Sequence, residues 1–244
     1  MILALLVAPF VGSFLGVVVE RLPEGGAIVF ARSRCRHCGT VLSAHDLVPL
    51  FSWLARRGRC GCGRIRLSAF YPGIELAALI VAAWAAVVVS GWLLWASLAF
   101  GLTLLALAAI DLRHYLLPDV LTLPLIPAGL AIAWLIKPAH LVDHAIGAVA
   151  GLGGFALIAW LYRQARHRDG LGLGDAKLVA AGGAWLGWQA LPSVIVIAAA
   201  SALAVALAGA LAGAKLAATT RIAFGPHLAL GIWLVWLYGP FVVG

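Results

Sequence analysis

The sequence predicts an all-α polytopic membrane protein of about eight transmembrane helices, with a small cytoplasmic zinc-ribbon-like insertion after the first helix. Three observations predict it. The 244 residues are 64% hydrophobic and only 11% charged, well under half the charge of a soluble domain. Apolar runs of about 20 residues, the length needed to cross a bilayer as a helix, recur along the chain. Four cysteines, Cys35, Cys38, Cys60 and Cys62, fall together in the longest polar segment. A membrane β-barrel is excluded, because its short segments would alternate in polarity and these runs do not.

The elements follow in order. Residues 1–19 form the first apolar run. No basic residue precedes it and no A-x-A-like site follows, so it reads as a retained anchor rather than a signal peptide. The polar segment 20–72 carries the cysteines and many arginines. The remaining spans are expected at 73–90, 92–110, 120–136, 141–162, 178–188, 191–213 and 226–243. The span at 178–188 is short and weakened by Gly182, Gly183 and Gly187. Residues 73–244 are expected to form one membrane domain.

Charge tests this topology. With alternate crossings, every Lys and Arg except Lys137 falls on the same side. That bias places the basic face in the cytoplasm. The net charge of +8 is thus read as topological anchoring, not as a nucleic-acid footprint.

Most of the nine acidic residues need no special explanation. Glu20, Glu24, Asp46 and Asp169 lie in polar segments, Asp143 lies near an outer turn with His140 and His144, and Glu75 begins a helix. Asp111 and Asp175 differ. Both map to the cytoplasmic boundary, at the same depth, and an ionisable group beside hydrocarbon is costly and a functional candidate. Two carboxylates at one depth suit an aspartyl protease: one takes a proton from water, while the other hydrogen-bonds the scissile carbonyl. Two other readings stand beside it. Each aspartate can simply cap the helix that follows, a reading that fits Asp119 in LLPDVLTLPL well. Alternatively, Asp111 and Asp175 form the relay of an ion- or proton-coupled transporter.

The run GLGLGDAKL at 170–178 precedes the short span. Gly172 and Gly174 lack Cβ atoms, so a peptide backbone can lie close to them. Lys177 can pair with an acid or with a lipid headgroup, and with Gly172 and Gly174 it is expected to form a loop that positions such a peptide. The spacing is not that of a phosphate loop.

Cys35-x-x-Cys38 and Cys60-x-Cys62 provide four thiolates, enough to close a tetrahedral structural Zn²⁺ site. His37 or His45 can replace one of them, and free thiols are the alternative. A polar loop of this size has little core of its own, so a metal would supply its fold.

Taken together, these stretches resemble the bacterial type IV prepilin peptidases, bifunctional leader peptidases and N-methyltransferases of the G-x-G-D aspartyl protease group. The resemblance runs through GSFLGVVVERLP (12–23), CRHC (35–38), LVPLFSWLARRGRC (47–60) and YPGIE (71–75). It continues through AAIDLRHYLLPDVLTLPL (108–125), GLGLGDAKLVAAGGAWLGW (170–188) and FGPHLALG (224–231). The C-x-C pair departs from the family's second C-x-x-C. The resemblance implies that Asp111 and Asp175 are the catalytic pair, acting without a covalent intermediate. It implies prepilin or pseudopilin substrates with a short basic leader, cut at the cytoplasmic face of the inner membrane. It further implies methylation of the new N-terminus from S-adenosylmethionine, with no cofactor needed for proteolysis. A non-enzymatic scaffold of a secretion machine remains a third reading.

Overall fold

The computed structural model describes residues 1–26, 39, 48–60, 66–166 (backbone only at 166), 172–213 and 222–241. Among them the structure is helical, apart from one isolated antiparallel bridge between Arg59 and Arg66. The chain divides into two compact units, Met1–Ala106 and Leu107–Gly244.

The first unit contains α1 (Ile2–Arg21), the short α2 (Phe51–Ala55) and α3 (Phe70–Val88). Helices α1 and α3 pack through small residues. Ala4, Ala8, Gly12 and Gly16 recur every four positions on the buried face of α1, and Ala78, Ala82 and Ala85 are buried on α3. A Cβ added at Gly12 would lie 2.8 Å from that of Ala78. Such stripes let helix backbones approach where lipid supplies no hydrophobic drive. At one end of the pair, the Tyr71 hydroxyl donates to Glu20 at 2.5 Å. Glu75, only 6% exposed, accepts the Leu50 N–H at 2.7 Å. Its carboxylate anchors the segment entering α2, a structural role.

Helix α4 (Trp92–His114) begins in the first unit and ends in the second. The second unit adds α5 (Asp119–Ile136), α6 (Leu141–Arg166), α7 (Leu173–Leu186), α8 (Leu191–Leu211) and α9 (Gly225–Tyr238). Its centre is α7, which packs on α5, α6 and α9. From Ala176 to Trp185 every residue of α7 is buried except Lys177. A helix apolar all round belongs inside, and glycines make room for it. A Cβ at Gly147 would lie 2.6 Å from the Gly183 carbonyl oxygen, and one at Gly151 would lie 2.8 Å from that of Val179. On another side, one at Gly182 would meet Ile232 of α9 at 2.9 Å. The Trp185 ring lies against Gly129 of α5, and its indole N–H donates to the Leu125 carbonyl at 2.9 Å. It also meets Trp236 of α9 edge to face.

The expected count of eight spans is met in part. Each expected segment is a helix, but among the described residues only α1, α3, α4, α5, α6 and α8 are long and apolar enough to cross a membrane. Helices α7 and α9 have 14 residues each, about 21 Å of rise against a core of about 30 Å. Left-handed glycines stop both, Gly187 at φ 84° and Gly239 at φ 82°, a conformation that Gly adopts without steric cost. The zinc-ribbon-like insertion falls mostly outside the described residues.

Overpacking α6 against α7 should loosen the second unit selectively. Gly147→Val is expected to cost about 1–3 kcal/mol and to lower the melting temperature in detergent by several degrees. A thermal shift assay against wild type measures this, and an unchanged melt would contradict the packing argument.

Candidate active site

Three helix ends converge in the second unit. The first is the end of α4. The helix runs one turn beyond the expected boundary, so Asp111 sits within it, only 7% exposed, rather than in the connection that follows. Tyr115 ends the helix in a left-handed conformation, φ 52°, and its N–H still bonds to the Asp111 carbonyl at 2.9 Å. That conformation is costly for a bulky side chain, and it turns the chain sharply into Leu117, which is buried.

The second end is the start of α7. Gly172 is its N-cap, and Asp175 lies in its first turn, half-buried. The glycine run is therefore partly helical. Gly174 and Lys177 belong to α7, not to a loop, and Gly172 alone of the proposed positioning residues precedes it. The absent side chain at Gly174 has a structural reason: a Cβ there would lie 2.9 Å from that of Leu117. The first turn of α7 thus seats on the residue that follows the α4 turn, which brings Asp175 towards Asp111.

The third end is the start of α9. The Gly225 N–H donates to Asp111 Oδ2 at 2.9 Å. This N–H is among those that a helix leaves unpaired at its start, where the macrodipole favours negative charge. Only glycine fits, because a Cβ at 225 would lie 2.8 Å from the same oxygen. Pro226 follows at a position where a missing N–H costs nothing. His227, next on α9, meets Ser201 of α8 at 2.9 Å and ties the two helices.

Where the end of α4 and the start of α7 meet the start of α5 lies a cleft of about 310 Å³, lined by Asp111, Tyr115, Asp119, Gly172, Asp175 and Lys177 among others. It brings together all the sequence-predicted residues of the membrane domain. It also corrects the reading of Asp119. That residue opens α5, but Pro118 is the N-cap and no side-chain cap bond forms. Asp119 instead takes a hydrogen bond from Lys177 Nζ at 2.6 Å. Lys177 therefore pairs with an acid, one of the two partners that the sequence allowed. Gly225 and Leu117 were missed. The available signals were a Gly-Pro step at a helix start in FGPH and the Leu116-Leu117 pair directly before Pro118 and Asp119.

Asp143 lies at the other end of α7 from Asp175, bonded to His140 and to the Trp188 indole, each at 3.1 Å. Cys60 is buried, next to the Arg59–Arg66 bridge. Cys35, Cys38 and Cys62 lie outside the described residues, as do His37 and His45. Among the described residues, no group of three or more metal-ligating side chains occurs.

The family model described as the bacterial peptidase A24 N-terminal domain matches residues 6–89, which include all four cysteines. The model of the type IV leader peptidase family matches residues 98–208, which include both Asp111 and Asp175. A protein of Burkholderia pseudomallei named prepilin leader peptidase/N-methyltransferase is 41% identical, the alignment covering 93% of this chain and 82% of the relative. Relatives of the same name from Stutzerimonas stutzeri and Aeromonas hydrophila are 36% and 38% identical, each covering 97% of this chain and 90% of theirs. No solved structure matches. With the two models matching in order and these relatives aligned over nearly its whole length, the chain belongs to the type IV leader peptidase family.

Proposed function

We propose that the protein is a membrane-embedded aspartyl endopeptidase that removes the leader of type IV prepilins or pseudopilins, with Asp111 and Asp175 as its catalytic pair, and that it N-methylates the new N-terminus. One observation carries the proteolytic reading: two carboxylates from helices far apart in sequence line one cleft at the meeting ends of α4, α5 and α7.

Like charges in a partly dry cleft share a single proton. The ionised carboxylate takes a proton from a water, and the protonated one hydrogen-bonds the scissile carbonyl. Attack of that water gives a tetrahedral intermediate, and return of a proton to the amide nitrogen releases the amine, with no acyl-enzyme. The Gly225 N–H orients the Asp111 carboxylate. Gly172, exposed beside Asp175, leaves room for an extended peptide. The relay alternative would set the acids near mid-bilayer in broken helices. Here Asp111 lies near the end of α4 and Asp175 at the start of α7.

The basic-residue bias supports an inner-membrane location with the cleft facing the cytoplasm. A substrate whose helix lies in the bilayer presents its leader junction there. Residues 20–72 would form the cytoplasmic cysteine-containing domain. Four thiolates of soft, Zn-preferring chemistry, one of them on the buried Cys60, support a structural zinc. S-adenosylmethionine would supply the methyl group. The described residues contain no strand–turn–helix cradle of the nucleotide-fold kind, and no residue is assigned to it.

Cleavage of a prepilin by the purified enzyme, read by mass spectrometry of the product N-terminus, tests the pair. Asp111→Asn and Asp175→Asn are each expected to lose cutting by at least about 10³-fold while inserting and folding normally. Full activity in either would rule out the dyad. Wild-type product should gain one methyl group only when S-adenosylmethionine is present.

Gly225→Ala should reduce kcat by roughly 10-fold or more, because its methyl group displaces the Asp111 carboxylate. Unchanged kinetics would show that the contact does not orient the acid.

Metal analysis should find about one zinc per chain, with Cys60→Ser lowering that occupancy. A metal-free protein of unaltered stability would end the zinc reading.

A further inference from the structure

The cleft contains a third carboxylate, Asp119, and a cation, Lys177, that the cleavage chemistry does not use. They join α5 to α7 across 58 residues of sequence by a contact of 2.6 Å. Lys177 stands two residues after Asp175, and both line the same cleft. Its flexible four-carbon stem leaves the ammonium a choice of carboxylates. An opposite charge close to a carboxylate favours the ionised form. A Lys177 free to turn towards Asp175 would therefore drive off the single proton that the pair needs.

We infer that Asp119 and Lys177 are positioning residues that balance charge at the dyad: Asp119 holds the Lys177 ammonium on the α5 wall of the cleft and keeps it from pairing with Asp175. This rests on the dyad reading above. Among the described residues, the other groups around the first turn of α7 do not compete for the ammonium. Tyr115 at the end of α4 carries a phenol rather than a carboxylate, and Arg113 and His114 there are exposed. From α9, His227 is engaged by Ser201. On α6, Arg163 is exposed, while Asp143 and His144 lie at the far end of α7, where His144 meets the Ala184 carbonyl. The pair is partly open to solvent, with side chains 29% and 57% exposed, so its part is local placement of charge rather than stability.

The test is the pH dependence of kcat for prepilin cleavage by the full-length enzyme in detergent. Wild type should give a bell, since only the singly protonated pair works. Asp119→Asn leaves an uncompensated cation, and its bell should move to lower pH by about one unit. Lys177→Gln leaves an uncompensated anion, and its bell should move to higher pH by a similar amount. The double variant removes both charges and should return the bell to the wild-type position, while Lys177→Arg should leave it in place. A misfolded fraction lowers the height of a bell but not its position, so weak variants still report. Single variants with unmoved bells, bells moved in the same direction, or a double variant that fails to return would overturn the inference. Asp111→Asn and Asp175→Asn run alongside. If they remain inactive while the bells do not move, only the charge-balancing role fails; if they cut normally, the dyad itself fails.

Discussion

The second unit depends on the burial of α7 among α5, α6 and α9. A 14-residue helix cannot span the bilayer alone, and its backbone bonds are satisfied within itself, so what it needs is apolar contact on every side. Glycines provide that contact at backbone distance, through Gly147 and Gly183, Gly151 and Val179, and Gly129 and Trp185. In lipid the gain is van der Waals packing rather than expulsion of water. Close packing of this kind is rigid, which is what the carboxylate proposed as catalytic at the end of this helix requires.

That rigidity is converted into chemistry at the ends of helices, where backbone groups are unpaired and the chain can meet water. The N-terminus of α9 offers an N–H to Asp111, and the N-terminus of α7 carries Asp175. Each glycine at the cleft answers a different demand. Gly225 makes room for a carboxylate, and Gly174 makes room for Leu117. A sequence reading that assigns every glycine to substrate approach misses this, because a missing Cβ does not reveal what fills its place.

The sequence showed most of the helical plan, because a run of apolar residues is a direct statement about solvent. It did not separate the runs long enough to cross the membrane by themselves from the shorter ones packed among them. Apolarity is common to a span and to a helix buried among spans, and only length and the stops at Gly187 and Gly239 separate them. Asp119 shows the same limit for a polar residue. An aspartate that opens a helix fits the pattern of a cap, yet its side chain meets Lys177 on another helix instead.

By itself, the sequence determined that the chain is a multi-helix membrane protein, that Asp111 and Asp175 are the acids out of place beside hydrocarbon, and that its motifs follow one family's order. These follow from local composition and spacing, which the chain carries residue by residue. The tertiary structure alone decided that α7 is central, that Gly225 holds Asp111, and that Lys177 belongs to Asp119. Those are pairings between distant segments, and they exist only once glycine-lined helices have packed closely enough to bring the segments together.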